Sequence, residues 1–209
     1  IANDQKQAIL EMLDVRARIA VVLDHVKRLA ESGYAVLVVN PFYRIKKAPT
    51  SPDDSNFDNP ATRDTLMGFM RTLTAETAFT DAKATIAWLD QQAAVDKARK
   101  MGTTGYCMGG PLVMRTAASN PARVGAAATF HGGGLVTDKP DSPHLLIPKM
   151  KAQFLVAVAS NDAMRPKSLR CCWASGIGTR TQVARTDVIF MGTPAGTGFE
   201  AVLSVRRAG

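Results

Sequence analysis

Cysteine and histidine are scarce in this chain, three of each among 209 residues. Cys107 stands alone and Cys171 and Cys172 are adjacent, so no disulfide framework can be read from the spacing. A reducing compartment, the cytoplasm, is the simplest expected location. Aromatic residues make up only 6% of the chain. The net charge of +8 is unevenly spread: from Arg165 onward Arg165, Lys167, Arg170, Arg180, Arg185, Arg206 and Arg207 face only Asp187 and Glu200. No aromatic side chains interleave with that basic tail as they would on a nucleic-acid-binding face, so no nucleic acid is expected as a partner. No run approaches the ~18 apolar residues of a membrane span, and no signal-peptide pattern opens the sequence, so no membrane partner is expected either.

What is present suits a globular enzyme. Apolar residues account for 46% and charged residues for 21%, the balance of one domain with a sizeable core, or of one domain plus a tail. The chain is organised around Thr103-Thr104-Gly105-Tyr106-Cys107-Met108-Gly109-Gly110. A short run from Lys100 leads in and a helix-compatible segment, Pro111–Ala118, leads out. Strand, sharp turn, helix is the setting of a nucleophile elbow, G-x-S-x-G, with cysteine in place of serine. Such a turn strains the nucleophile's backbone, so Gly105 and Gly109 must leave room where side chains would collide. The helix that follows lends its positive end to a thiolate, and the Met108 N–H faces the place where an oxyanion would form. Small residues also surround cysteines that serve packing alone.

The rest of the chain alternates strands and helices. Tyr34–Pro41 is a continuous apolar run, as expected of a parallel strand covered on both faces. Helical patterning follows at Leu66–Leu73 and Phe79–Gln92, with Ala82, Ile86, Ala87 and Leu89 on the inner side. Val124–Phe130 and Gln153–Ala159 are the next strands, and a loop carrying proline and aspartate joins them. Arg18–Asp24 reads as a buried strand or part of a helix. This order predicts an α/β fold, a mostly parallel sheet with helices on both faces, incomplete at its C-terminal end. Residues 1–167 form the expected domain. Residues 168–209 read as an atypical tail without sustained periodicity, in which Gln182–Met191 is the one strand-like stretch. Enriched in Arg, Gly, Ala, Thr and Cys, that tail has the look of codons read out of frame.

Several runs resemble the dienelactone hydrolases. They are Arg28–Tyr34, Asn40-Pro41-Phe42-Tyr43-Arg44, Ala87-Trp88-Leu89-Asp90, Gly105–Gly110, Phe130-His131-Gly132-Gly133, Asp141-Ser142-Pro143-His144 and Ala159-Ser160-Asn161-Asp162. The resemblance spans roughly residues 27–167. It implies an α/β-hydrolase fold, a Cys-His-Asp triad and hydrolysis of small esters or enol-lactones through an acyl-enzyme, with no metal and no organic cofactor. Residue by residue, it assigns the nucleophile to Cys107, the acid to Asp162 and one oxyanion donor to the Met108 N–H. Asp162 also follows an apolar strand, which sets it on the same sheet edge as Cys107.

Two departures qualify that assignment. In this fold the histidine follows the acid, yet His25, His131 and His144 all precede Asp162, and the stretch Phe190–Gly198 holds no imidazole. Of the three, His131 follows a strand on the edge of Cys107 and is the one imidazole that could substitute as a base; otherwise it reads as a hydrogen-bonding loop residue. Near the N-terminus, Ile19–Leu23 runs almost directly into Val26, which leaves no room for a loop supplying a second oxyanion donor. Two functions therefore stand beside each other. One is a hydrolase of carboxylic esters. The other is an impaired member that binds small esters or carries a reactive thiol. A redox role pairing Cys107 with Cys171 or Cys172 has no C-x-x-C spacing behind it.

Overall fold

The computed structural model describes residues 26–47, 50, 58–157 and 201–206, the last by backbone alone. Five strands form one sheet: β1 (Tyr34–Val39), β2 (Met101–Tyr106), β3 (Val124–Phe130), β4 (Gln153–Ala157) and β5 (Ala201–Arg206). Their spatial order is β1-β5-β2-β3-β4. β2, β3 and β4 pair in parallel, and β5 pairs antiparallel with both β1 and β2. β1 therefore runs in the direction of β2, and the carboxyl ends of β1 to β4 share one edge. The mixed α/β sheet is open, with its parallel strands joined through helices as the alternation predicts.

β5 departs from expectation. The reading of the tail placed its strand-like stretch at Gln182–Met191, which lies outside the described residues, and none at Ala201–Arg206. The structure sets a strand there, antiparallel between β1 and β2, pairing Leu37 with Leu203 and Thr103 with Leu203. The two neighbours each offer it an open row of backbone groups, and pairing those rows satisfies donors and acceptors that burial would otherwise leave costly.

Three helices follow from local signals. In α1 (Pro60–Arg71) proline occupies the first turn, where its missing N–H costs nothing, and Asn59 Oδ1 accepts from the N–H of Ala61 at 2.9 Å. In α2 (Ala75–Leu89) Thr74 caps through Thr77 N, and the buried side is Ala78, Ala82, Ile86 and Leu89. Ala87, expected inside, is exposed. A step of about 100° from Ile86 carries it off the inner stripe, and Ala78, two turns before Ile86, holds that position instead. A 3₁₀ segment, Pro143–Lys149, lies within the stretch read as a loop.

α3 (Gly109–Ser119) is the central helix, packing on β2 and β3, on α2 and on the 3₁₀ segment. Its Val113, Met114 and Ala117 meet Met101, Val124, Ala127, Leu135, Ile86 and Leu89 in the core. Val113 and Val124 are wholly buried, and each such aliphatic side chain contributes about 1.5–3 kcal/mol. Burial alternates along β2, with Met101, Thr103 and Gly105 on the fully covered face beneath α3. The opposite face, with Thr104 and Tyr106, is half-buried among the described residues.

Candidate active site

The junction of β2 and α3 is built by exclusion. A Cβ at Gly105 would lie 2.5 Å from Gly109 O and 2.7 Å from Val113 Cγ2. Only glycine lets the helix start so close to the strand that feeds it. At Gly110 a Cβ would come within 2.7 Å of Thr129 Oγ1, and at Gly132 it would strike the same oxygen. Strand β2, helix α3 and the loop after β3 thus converge within one backbone thickness of each other.

Cys107 sits at this junction with φ +48°, in the left-handed region. For a residue with a side chain that costs roughly 1–2 kcal/mol. Three hydrogen bonds hold it. Its N–H donates to Phe130 O at 3.0 Å, and its carbonyl accepts from Gly110 N at 3.1 Å and Gly133 N at 3.2 Å. At a net ~0.5–1.5 kcal/mol each, they outweigh the strain. The thiol is half-buried. Met108 begins the helix with φ −66° and no side-chain cap, and its N–H meets no acceptor among the described residues. That N–H and the positive helix end favour negative charge at this point.

The loop after β3 wraps the elbow. The last register pair of β2 and β3 is Tyr106 with Phe130, whose rings stack at 5.0 Å and 16°. One step further, at Cys107 and His131, both strands leave the sheet. His131 also has a left-handed backbone, φ +42°, and Cys107 and His131 are the two non-glycine residues with positive φ among the described residues. Its N–H donates to Ala157 O at the end of β4, at 2.8 Å. The ring is exposed, and no described residue hydrogen-bonds to it. The hydrogen-bonding role expected of its side chain is therefore taken by its backbone.

Two further clusters flank the elbow. Ser142, 1% exposed, accepts from Thr137 N at 2.8 Å and meets His144 Nδ1 at 2.7 Å, while His144 N donates to Leu135 O. This arrangement locks the loop before the 3₁₀ segment. Arg115, buried in α3, reaches Asp141 O at 3.4 Å and Asp141 Oδ2 at 3.6 Å. Burial lowers its pKa, and the Asp141 charge opposes that shift. On the opposite side, past β1, Asp81 of α2 accepts from Tyr43 at 2.8 Å and from the Arg44 guanidinium. Sequence reasoning quoted Tyr43 and Arg44 without seeing their link to Asp81, since no local spacing joins residues so far apart.

Asp162, His25, the Ile19–Leu23 stretch and the Phe190–Gly198 stretch lie outside the described residues. Cys107 and Met108 stand at the elbow, and His131 follows β3, whose Phe130 O accepts from Cys107 N and whose following loop donates Gly133 N to Cys107 O. No group of three or more metal-ligating side chains forms among the described residues, and no described helix is long and apolar enough to cross a membrane.

A parallel sheet whose central strand ends in a strained residue at the foot of a helix is the α/β-hydrolase arrangement. The chain belongs to the dienelactone hydrolase family, whose model matches residues 5–185. That match runs beyond the 27–167 of the motif resemblance at both ends; it takes in Ile19–Leu23 and stops short of Phe190–Gly198. Among curated proteins and among solved structures no match accompanies it.

Proposed function

We propose that the protein hydrolyses small carboxylic esters or enol-lactones through a cysteinyl acyl-enzyme. The observation that carries this reading is the elbow itself: Cys107 at φ +48° beside a Met108 N–H with no acceptor among the described residues. In this reading the Cys107 sulfur attacks the carbonyl carbon, and the Met108 N–H receives the oxyanion. Asp162 supplies the acid that orients a base. The chemistry as written uses protein groups and water alone, and the cytoplasm suits a nucleophilic thiol.

The test is hydrolysis of p-nitrophenyl acetate by wild type and by Cys107→Ala, with intact-mass detection of the acetylated protein. Turnover and a one-to-one adduct, both lost in the variant, are expected. Wild-type hydrolysis that survives Cys107→Ala would overturn the assignment of the nucleophile.

A second reading rests on one specific observation, that no histidine follows Asp162. An impaired member would acylate once and stop, since both the leaving group and the attacking water need a proton carrier. A burst of one equivalent without turnover would select it.

A further inference from the structure

We infer that His131 is the proton carrier of this site, taking the part for which no histidine lies beyond Asp162. The inference rests on the hydrolase reading above and names a residue that reading leaves open.

Three observations carry it. The register of β2 and β3 ends at Tyr106 and Phe130, so Cys107 and His131 are the residues at which two neighbouring strands leave the sheet, and Gly133 N, two residues past His131, donates to Cys107 O at 3.2 Å. Both residues then turn into the left-handed region. Histidine is among the residues that enter this region more readily than most, yet positive φ stays uncommon outside glycine, and such positions gather at functional sites. Finally, the backbone of His131 is tied down through Ala157 O while its ring has no partner among the described residues. An anchored main chain with a solvent-reached imidazole that no described residue binds is what proton exchange requires. His144 lacks that freedom, because Ser142 occupies its Nδ1.

The steps balance as follows. The Cys107 thiol gives its proton to the His131 imidazole as the C–S bond forms and the carbonyl π pair moves to oxygen. The tetrahedral intermediate reforms its carbonyl and expels the alkoxide, which takes the proton from the imidazolium. Water then loses a proton to the imidazole as its oxygen bonds to the acyl carbon. The C–S bond breaks, and the thiolate recovers that proton. Ester and water become acid and alcohol.

The experiment uses the full chain and p-nitrophenyl acetate. His131→Asn and His131→Gly both tolerate φ +42° without a titrating ring. Each should still reach one equivalent of Cys107-bound acetyl, more slowly than wild type, while steady turnover falls about 100-fold or more. Added imidazole should restore turnover in His131→Gly above the free-imidazole background measured with Cys107→Ala. Undiminished turnover in His131→Asn overturns the inference. So does a loss that imidazole leaves unrepaired, because a packing role would behave that way. Absence of any Cys107-dependent burst in the wild type overturns the hydrolase reading itself, a different result from either.

Discussion

Replacing Gly105 by alanine adds one methyl group where β2 meets α3. The added carbon would lie 2.5 Å from Gly109 O, 2.7 Å from Gly109 C and 2.7 Å from Val113 Cγ2. Non-bonded carbon atoms rest about 3.5–4.0 Å apart, so the helix must withdraw by roughly an ångström. Two of the three obstacles are backbone atoms, and no rotamer change relieves them. Over-packing of this kind typically costs about 1–3 kcal/mol. Alanine recovers about 0.4–1 kcal/mol by restricting the unfolded chain, and the strand backbone of Gly105 imposes no positive φ to oppose it. The net loss is about 1–2 kcal/mol. With a urea m-value of about 2 kcal/mol per molar, the midpoint should fall by about 0.5–1 M. Gly68→Ala is the internal control. It lies inside α1 and its Cβ meets nothing within 4 Å, so it should raise stability by about 0.5–1 kcal/mol. Far-ultraviolet circular dichroism during urea titration reads both. An unchanged midpoint for Gly105→Ala would refute the close-approach argument. If the variant folds, acylation of Cys107 should slow, because a displaced α3 carries the Met108 N–H with it.

Asn59→Ala removes the acceptor of the Ala61 and Thr62 N–H groups and should cost about 1 kcal/mol, read as a lower urea midpoint. Ile86→Ala opens a cavity in the core, where Ile86 is 2% exposed, and should cost about 2–5 kcal/mol in the same titration. Lost hydration, the hydrogen bond to Asp81 and that carboxylate's charge raise the Tyr43 pKa, and Arg44 pulls it down. Folding thus favours the neutral phenol. Its contribution to stability is complete below the ordinary value of about 10 and fades as pH rises through the higher folded value. In an ultraviolet tyrosinate titration, Asp81→Asn should move the Tyr43 ionisation, identified by its loss in Tyr43→Phe, back towards that ordinary value, and an unmoved curve would refute the contact's role.

Much of this architecture was legible because its signals are local. Tyr34–Val39, Val124–Phe130 and Gln153–Ala157 declare themselves as largely apolar runs closed by glycine, proline or polar residues, and Met101–Tyr106 by its place before the glycine-flanked turn. The turn at Cys107 is visible for the same reason, since a helix can start against a strand only where glycine stands. β5 was not legible. Ala201–Arg206 is short, and its place between β1 and β2 depends on open edges far away in sequence. Ala87 was misplaced by one step of helical phase, a distinction that needs the neighbouring α3 to settle. The Pro143–Lys149 turns read as loop because proline at both Pro143 and Pro148 breaks the helical signature. The backbone of His131 had no signal at all. Histidine enters the left-handed region more often than most residues, but a lone histidine before Gly132 does not say which residue of the turn will do so.

The two strained residues also explain why the candidate site and the sheet cannot be varied independently. Cys107 is held by Phe130 O and Gly133 N, both from the segment that ends β3 and turns away from it. His131, in that same segment, is held by Ala157 O at the end of β4. Each strained position is thus stabilised by the carbonyl end of the next strand along. A left-handed residue costs roughly 1–2 kcal/mol, and a pair of them is retained only while those strand ends stay in register. Loosening the end of β4 would release His131 first and, through Gly133, the carbonyl of Cys107 second. Positioning of the thiol is therefore a property of three successive parallel strands, and catalytic geometry should fail before the core around Val113 and Val124 does.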